Sequence, residues 1–121
     1  MLGEIVHHLG AHPRFGAVID LQPLGAALPG SRTTALIKGH QLELARLVLA
    51  AGKSLREHTT RGEITLLCIE GEIELSTPAG QQRLLPGQLV HLAAGTPHAL
   101  LALADATALV TICLQLPEPT A

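Results

Sequence analysis

From TTALIK onward the apolar residues come in short runs of Leu, Val, Ile and Thr. Residues suited to tight turns cut these runs about every 8 to 12 positions, the spacing of a β-sandwich or barrel. The runs that read as strands are ALIK, QLELARLVLA, EITLLCIE, EIELST, QRLL, QLVHLA, HALLAL and ATALVTICLQL. Between them lie KGH, AGKS, the Gly71 bend, TPAG, LPG, AGTP and ADA, each with a residue that favours a turn or a positive φ. In EIELS, Glu72 and Glu74 fall on one face and Ile73 and Leu75 on the other, which predicts a half-buried strand with an acidic side toward water. QLELARLVLA also contains good helix formers. Gly39 and Gly52 bound it, however, and its neighbours are strand-like, so context predicts a strand.

Residues 1–32 differ from this pattern. They are rich in Gly, Pro and His, with VIDL the only strand-like piece, and they predict an N-terminal arm. The barrel is expected over residues 33–116, with residues 117–121 as a frayed, proline-bearing tail.

A chain of 121 residues, 47% apolar and 15% charged, suits one folded domain rather than a disordered segment. The net charge of −2 and the lack of any Lys/Arg cluster argue against nucleic acid as a partner. With no Trp, no Tyr and Phe15 alone, no platform exists for stacking bases or sugars. No apolar run approaches the ~20 residues of a membrane span, and MLGEIVHHLG lacks the charged start of a secretory signal. Cys68 and Cys113 both lie inside apolar runs and read as buried thiols, and a cytoplasmic location is expected.

Two spaced motifs carry candidate chemistry. In the first, Gly52 is followed by His58 and then, thirteen positions later, by Gly71. The second is PGQLVHLAAGTPHALLA, with Gly87, Gly95 and His98. Together they resemble the two motifs of the cupin superfamily over residues 34 to 116, and the GTPH string is their most specific part. The resemblance implies an all-β, cupin-like barrel, a jelly-roll type double sheet, with an interior site of two histidines and a carboxylate from the first motif and one histidine from the second. His58 matches the first ligand and His98 the last. Thr60 stands where the second histidine is expected and Ile64 where the carboxylate is expected. Ala93 and Ala102 replace the usual proline and asparagine.

Neither a threonine hydroxyl nor an isoleucine offers a divalent metal what an imidazole or carboxylate does, and most protein zinc sites use three or four protein ligands. The motif is therefore degenerate, and the expectation is a weakly bound divalent metal, zinc, nickel or iron, at His58 and His98. By period two, Ile64, Leu66 and Cys68 share an inward face. With Thr60 they are expected to line an apolar pocket below the two histidines. Cys68 as a thiolate would be a soft ligand, whereas as a buried thiol it is inert, and the second reading is preferred. Glu63 reads as a rim carboxylate and His91 as a surface imidazole; with Cys68 they are the candidates to complete a metal site. His7, His8 and His12 form a loose cluster on the arm.

Two classes of function follow. One is a small-molecule binding or sensing domain with its pocket around His58 and His98. The other is a metal-dependent enzyme of oxygenase or isomerase type, its two-histidine site completed by water or substrate. A metal-free enzyme with His58 or His98 as general base lacks an oriented carboxylate partner in the sequence. A homodimer is expected, with VIDL and ALIK pairing across a two-fold axis.

Overall fold

A computed structural model of the chain describes residues 15–114. His7, His8, His12 and the C-terminal tail lie outside them. Nine strands and one short 3-10 helix, Gly25–Gly30, make up the regular structure of the described residues. The strands are β1 (Thr34–Lys38), β2 (Leu42–Leu49), β3 (Ser54–His58), β4 (Ile64–Glu70), β5 (Ile73–Thr77), β6 (Gly80–Leu84), β7 (Leu89–Leu92), β8 (His98–Ala102) and β9 (Ala106–Cys113). They form two antiparallel sheets, one in the order β1-β2-β9-β4-β7 and the other β3-β8-β5-β6. QLELARLVLA is a strand, as its flanking glycines suggest. Its neighbour β3, SLREH, is the strand that sequence patterning missed. Four of its five residues are polar or charged, and its burial does not alternate.

The core lies between the sheets. Leu47, Ile73, Leu75 and Val110 are fully buried, and Leu66, Leu100 and Ile112 pack with them. Truncating Leu47 to alanine would cost about 2–5 kcal/mol, as for other large-to-small changes in a packed interior. On β2 and β9 the inward set is Glu43, Ala45, Leu47 and Leu49 against Ile112, Val110, Ala108 and Ala106, each pair directly opposed. Alternation of side chains then fixes the outward set.

Three β-bulges interrupt that alternation, and each redirects a polar residue. In β1 the register shifts between Ala35 and Ile37, so Lys38 comes opposite Glu43 on the inner side. In β3 it shifts between Leu55 and His58, which brings His58 opposite His98. In β4 it shifts between Cys68 and Glu70, which turns Glu70 outward opposite Thr107. An extra residue in one strand has this effect because side chains follow a period of two.

The described part of the lead-in is tied to the barrel at Glu70. Its carboxylate accepts from Leu24 N at 2.6 Å, Gly25 N at 3.0 Å and Thr107 Oγ1 at 2.9 Å. Leu28, on the 3-10 helix, is buried. Gly71 follows at φ +80° and turns the chain into β5; a Cβ there would run into the backbone oxygen of Asp105 and into Ala106.

Candidate functional site

One end of the barrel is made by the end of β3 and the starts of β4 and β8. The loops between them are joined there, Gly95 N donating to Thr60 O at 2.9 Å. His58 and His98 are cross-strand partners at this mouth, with ring centroids 4.2 Å apart and planes inclined by 60°. His98 is buried and His58 half-buried. The bulge in β3 is what makes the pairing possible: strict alternation from the inward Leu55 would aim Glu57 at the interior and His58 at solvent.

Each imidazole is held through Nδ1 to a main-chain carbonyl two residues earlier, His58 to Arg56 O at 2.8 Å and His98 to Thr96 O at 2.9 Å. A carbonyl only accepts, so each Nδ1 carries the hydrogen and the neutral ring leaves Nε2 as a bare acceptor. Both Nε2 atoms are buried without a partner. Burial lowers the pKa of His98 from its ordinary value; the Thr96 carbonyl opposes that shift, and His58 reinforces it. For His98 the neutral acceptor form is therefore the one the fold favours. Among the described residues the only other buried side-chain atom without a partner is Arg46 Nε, whose guanidinium donates through Nη2 to Asp20 O at 2.8 Å.

The other residues singled out in the sequence sit at different depths. Ile64 shares the mouth's transverse row, opposite Leu92 on β7 and Ile112 on β9. Leu66 lies one row deeper, opposite Val110, and Cys68 two rows deeper, opposite Ala108; all three are buried in the core. Cys68 Sγ donates toward Glu70 O and Gly71 O at 3.5 and 3.8 Å. Its pKa is raised, by burial first and by the Glu70 and Glu72 carboxylates, against the lowering effect of the Glu70 carbonyl. Thr60 is half-buried in the loop, and its Oγ1 donates to Gly62 O at 2.8 Å. Glu63 and His91 are exposed on the outside, joined to each other at 2.6 Å.

Glu43 is the residue that sequence reasoning passed over. It is 5% exposed and faces inward opposite Ile112 in the mouth's row, with Lys38 Nζ at 3.6 Å. Aliphatic residues occupy both phases of LELARLVL, so the inward phase of that strand is not legible from composition.

Two bare Nε2 acceptors suit a metal, but the rest of the donor set does not. Thr60 Oγ1 is committed to a carbonyl, Ile64 has no donor, and Cys68 is held deep in the core. Among the described residues no group of three or more His, Cys, Asp or Glu side chains is placed to hold a metal ion. The described residues thus offer two imidazoles and no third protein ligand, which does not fit a resident metal centre. A groove of about 540 Å³ lies elsewhere, between residues 15–19 and the tip of the β1–β2 hairpin, lined by Phe15, Ile19, Ile37, His40 and Leu42. It lacks the buried, unpartnered acceptors that mark the mouth.

No family model and no curated protein matches the chain. Solved structures do. A cupin superfamily protein from Desulfitobacterium hafniense DCB-2 aligns with 69% of this chain and 76% of its own at 19% identity and a TM-score of 0.66. An RmlC-like cupin family protein with a double-stranded β-helix fold, from Methanocaldococcus jannaschii, aligns with 81% of this chain and 93% of its own at 14% identity and a TM-score of 0.67. The DMSP lyase DddQ from Ruegeria pomeroyi DSS-3 aligns with 67% of this chain and 42% of its own at 25% identity and a TM-score of 0.59. The chain has the cupin fold, the double-stranded β-helix of the cupin superfamily, in the form of a single small barrel. That bears out the all-β, cupin-like expectation drawn from the two motifs. Among the described residues no helix is long and apolar enough to cross a membrane.

Proposed function

We propose that the chain is a small-molecule binding or sensing domain whose ligand docks at the barrel mouth against His58 and His98. One observation carries this reading: two adjacent imidazoles present buried Nε2 acceptors that the protein itself leaves unpartnered. Leaving a buried polar atom unmade costs roughly 1–3 kcal/mol, and such atoms mark places where a bound group completes the bonding. The test is a long-range ¹H–¹⁵N spectrum of ¹⁵N-histidine-labelled protein against a library of small polar molecules. A binder must move the Nε2 resonances of both rings; a library that moves neither refutes the pocket.

The second reading is a metal-dependent enzyme, favoured by the same bare Nε2 pair and by the lyase among the structural neighbours. Elemental analysis of untagged protein separates the two. Two imidazoles bind a divalent ion weakly, so substoichiometric zinc, nickel or iron is expected. Release should follow as pH falls through the histidine range, near ~6.5, because ligating imidazoles must be unprotonated. His58→Ala and His98→Ala should each abolish that binding, whereas replacing His7, His8 and His12 should leave it. One tightly held metal per chain that survives chelator would put the enzyme reading first.

The proposal includes a cytoplasmic homodimer. Its support is the position of β1 at the edge of its sheet among the described residues, with the exposed Phe15 near it. Light scattering at micromolar concentration should give twice the chain mass, and a monomer mass would refute it.

A further inference from the structure

We infer that the outer face of the five-stranded sheet, on its mouthward half, is where a second copy of this chain docks, sheet against sheet. The inference rests on the proposed homodimer and names the surface that makes it. It starts from a difference between the two sheets. An antiparallel sheet with one face on the core keeps apolar side chains inward and polar ones toward water. The four-stranded sheet obeys this: one outward row is Ser54, Leu101, Glu74 and Arg83, and the next is Ala99, Ser76 and Gln81. The five-stranded sheet does not.

Its strand pairing places Arg46, Leu109, Leu67 and Leu89 side by side in one outward row, and Leu44, Thr111, Thr65 and His91 in the next. Leu89 is 61% exposed, and Leu44, Leu67 and Leu109 are half-buried. Three leucines abreast on neighbouring strands make a contiguous apolar surface, the mark of an interaction site. The described lead-in crosses the sheet on the closed-end side of these rows, where Asp20 O accepts from Arg46 and where Leu24 and Gly25 donate to Glu70. At the mouthward corner the surface continues through Ile37 and Leu42 to Phe15, which is 99% exposed.

Charge and size both fit a copy of the same face. The ionisable side chains in the two rows are Arg46 and His91, and each is matched within its own chain. Arg46 lies close enough to Glu70 to balance its charge, and His91 meets Glu63 at 2.6 Å. A two-fold axis sets identical surfaces against each other, so a face without unmatched charge meets its copy without like-charge repulsion. Five strands at ~4.8 Å span ~24 Å, and the eight residues of β2 and β9 run ~27 Å. The plan area is on the order of 600 Å², near the ~800 Å² that each partner gives a stable interface once side-chain relief is added. Packing on this face leaves the mouth, at the barrel's end, open in both copies.

Sedimentation equilibrium on the full chain reads the dimer dissociation constant. Leu67→Glu sets a carboxylate in the middle of the leucine row against the partner's apolar face, and should raise that constant at least about 100-fold. Leu89→Glu, at a position already exposed in the single chain, should raise it at least about tenfold. It keeps the test decisive should Leu67→Glu fail to fold, which loss of the β-type dichroism spectrum would report. Leu101→Glu, on the outer face of the other sheet, should leave the constant unchanged. If wild type is a dimer and the folded variants at Leu67 and Leu89 hold together equally well, this face is overturned and pairing along the β1 edge takes its place. A wild-type monomer at micromolar concentration overturns the homodimer, and this inference with it. Should that monomer become dimeric when Ile5→Glu and Val6→Glu are introduced, the N-terminal segment, and not a second copy, is the occupant of the face.

Discussion

The two ends of the barrel handle polar groups in opposite ways. At the closed end a bulge in β4 turns Glu70 outward, and three donors from Leu24, Gly25 and Thr107 meet its carboxylate. At the mouth a bulge in β3 turns His58 inward beside His98, and neither Nε2 meets anything. A fully partnered cluster is what a fold needs for its own stability. An unpartnered one costs stability and is retained where something outside the chain completes it. The contrast gives the Glu70 end a structural part and leaves the histidine end as the one that the proposed ligand would complete.

The contrast breaks most sharply at Gly71. Its φ of +80° and the collision of any Cβ with Asp105 and Ala106 leave no side chain tolerable. Gly71→Ala should cost roughly 3 kcal/mol or more, seen as a lower urea midpoint. A stability unchanged from wild type would show that the closed end is not the rigid one.

Glu70→Gln comes next. The carboxylate is partly exposed, so solvent screening limits the loss to about 1 kcal/mol. Burial alone would raise the Glu70 pKa. The bonds from Leu24, Thr107 and Gly25, with the Arg46 charge, together outweigh it and hold the group below its ordinary 4.5. A depressed folded value means that Glu70 contributes stability above pH 4.5 and loses it as pH falls through the lower folded value. Wild type should therefore lose stability in that acid window, and Glu70→Gln should lose less.

His98→Leu probes the other end. Removing an unpartnered buried acceptor at similar volume should leave stability within about 1 kcal/mol of wild type, or raise it, while abolishing ligand shifts. The pH dependence has the same sign as for Glu70, at a higher window. Burial lowers His98 below its ordinary 6.5, so wild type loses stability as pH falls from 6.5 toward the folded value, because only the unfolded chain takes up the proton. His98→Leu should lack that decline. A destabilisation of several kcal/mol would mean that His98 serves the fold rather than a ligand.

The smallest effect concerns the thiols. Cys68 is fully buried with its pKa raised, and Cys113 is only half-buried. A disulfide reagent at neutral pH should label Cys113 first and Cys68 only on unfolding. Prompt labelling of Cys68 in the native state would show that the closed end opens.

Turn spacing and strand alternation in the sequence were enough to predict an all-β sandwich or barrel, because both follow from local rules, the period of two and the few residues that tolerate tight turns; the double sheet was implied only by the resemblance of the two motifs. All four motif glycines, Gly52, Gly71, Gly87 and Gly95, adopt positive φ, which is why their spacing carried the fold. The strand β3 was not legible, since SLREH has no apolar period, and neither was the buried Glu43. Tertiary structure alone decided which way Lys38 and Glu70 point, and for His58 only the motif resemblance, not the strand pattern, implied the inward direction. Each lies beyond a bulge, and a bulge reverses the inside and outside of every residue after it. Its position is set by pairing with a strand distant in sequence, so no local pattern records it.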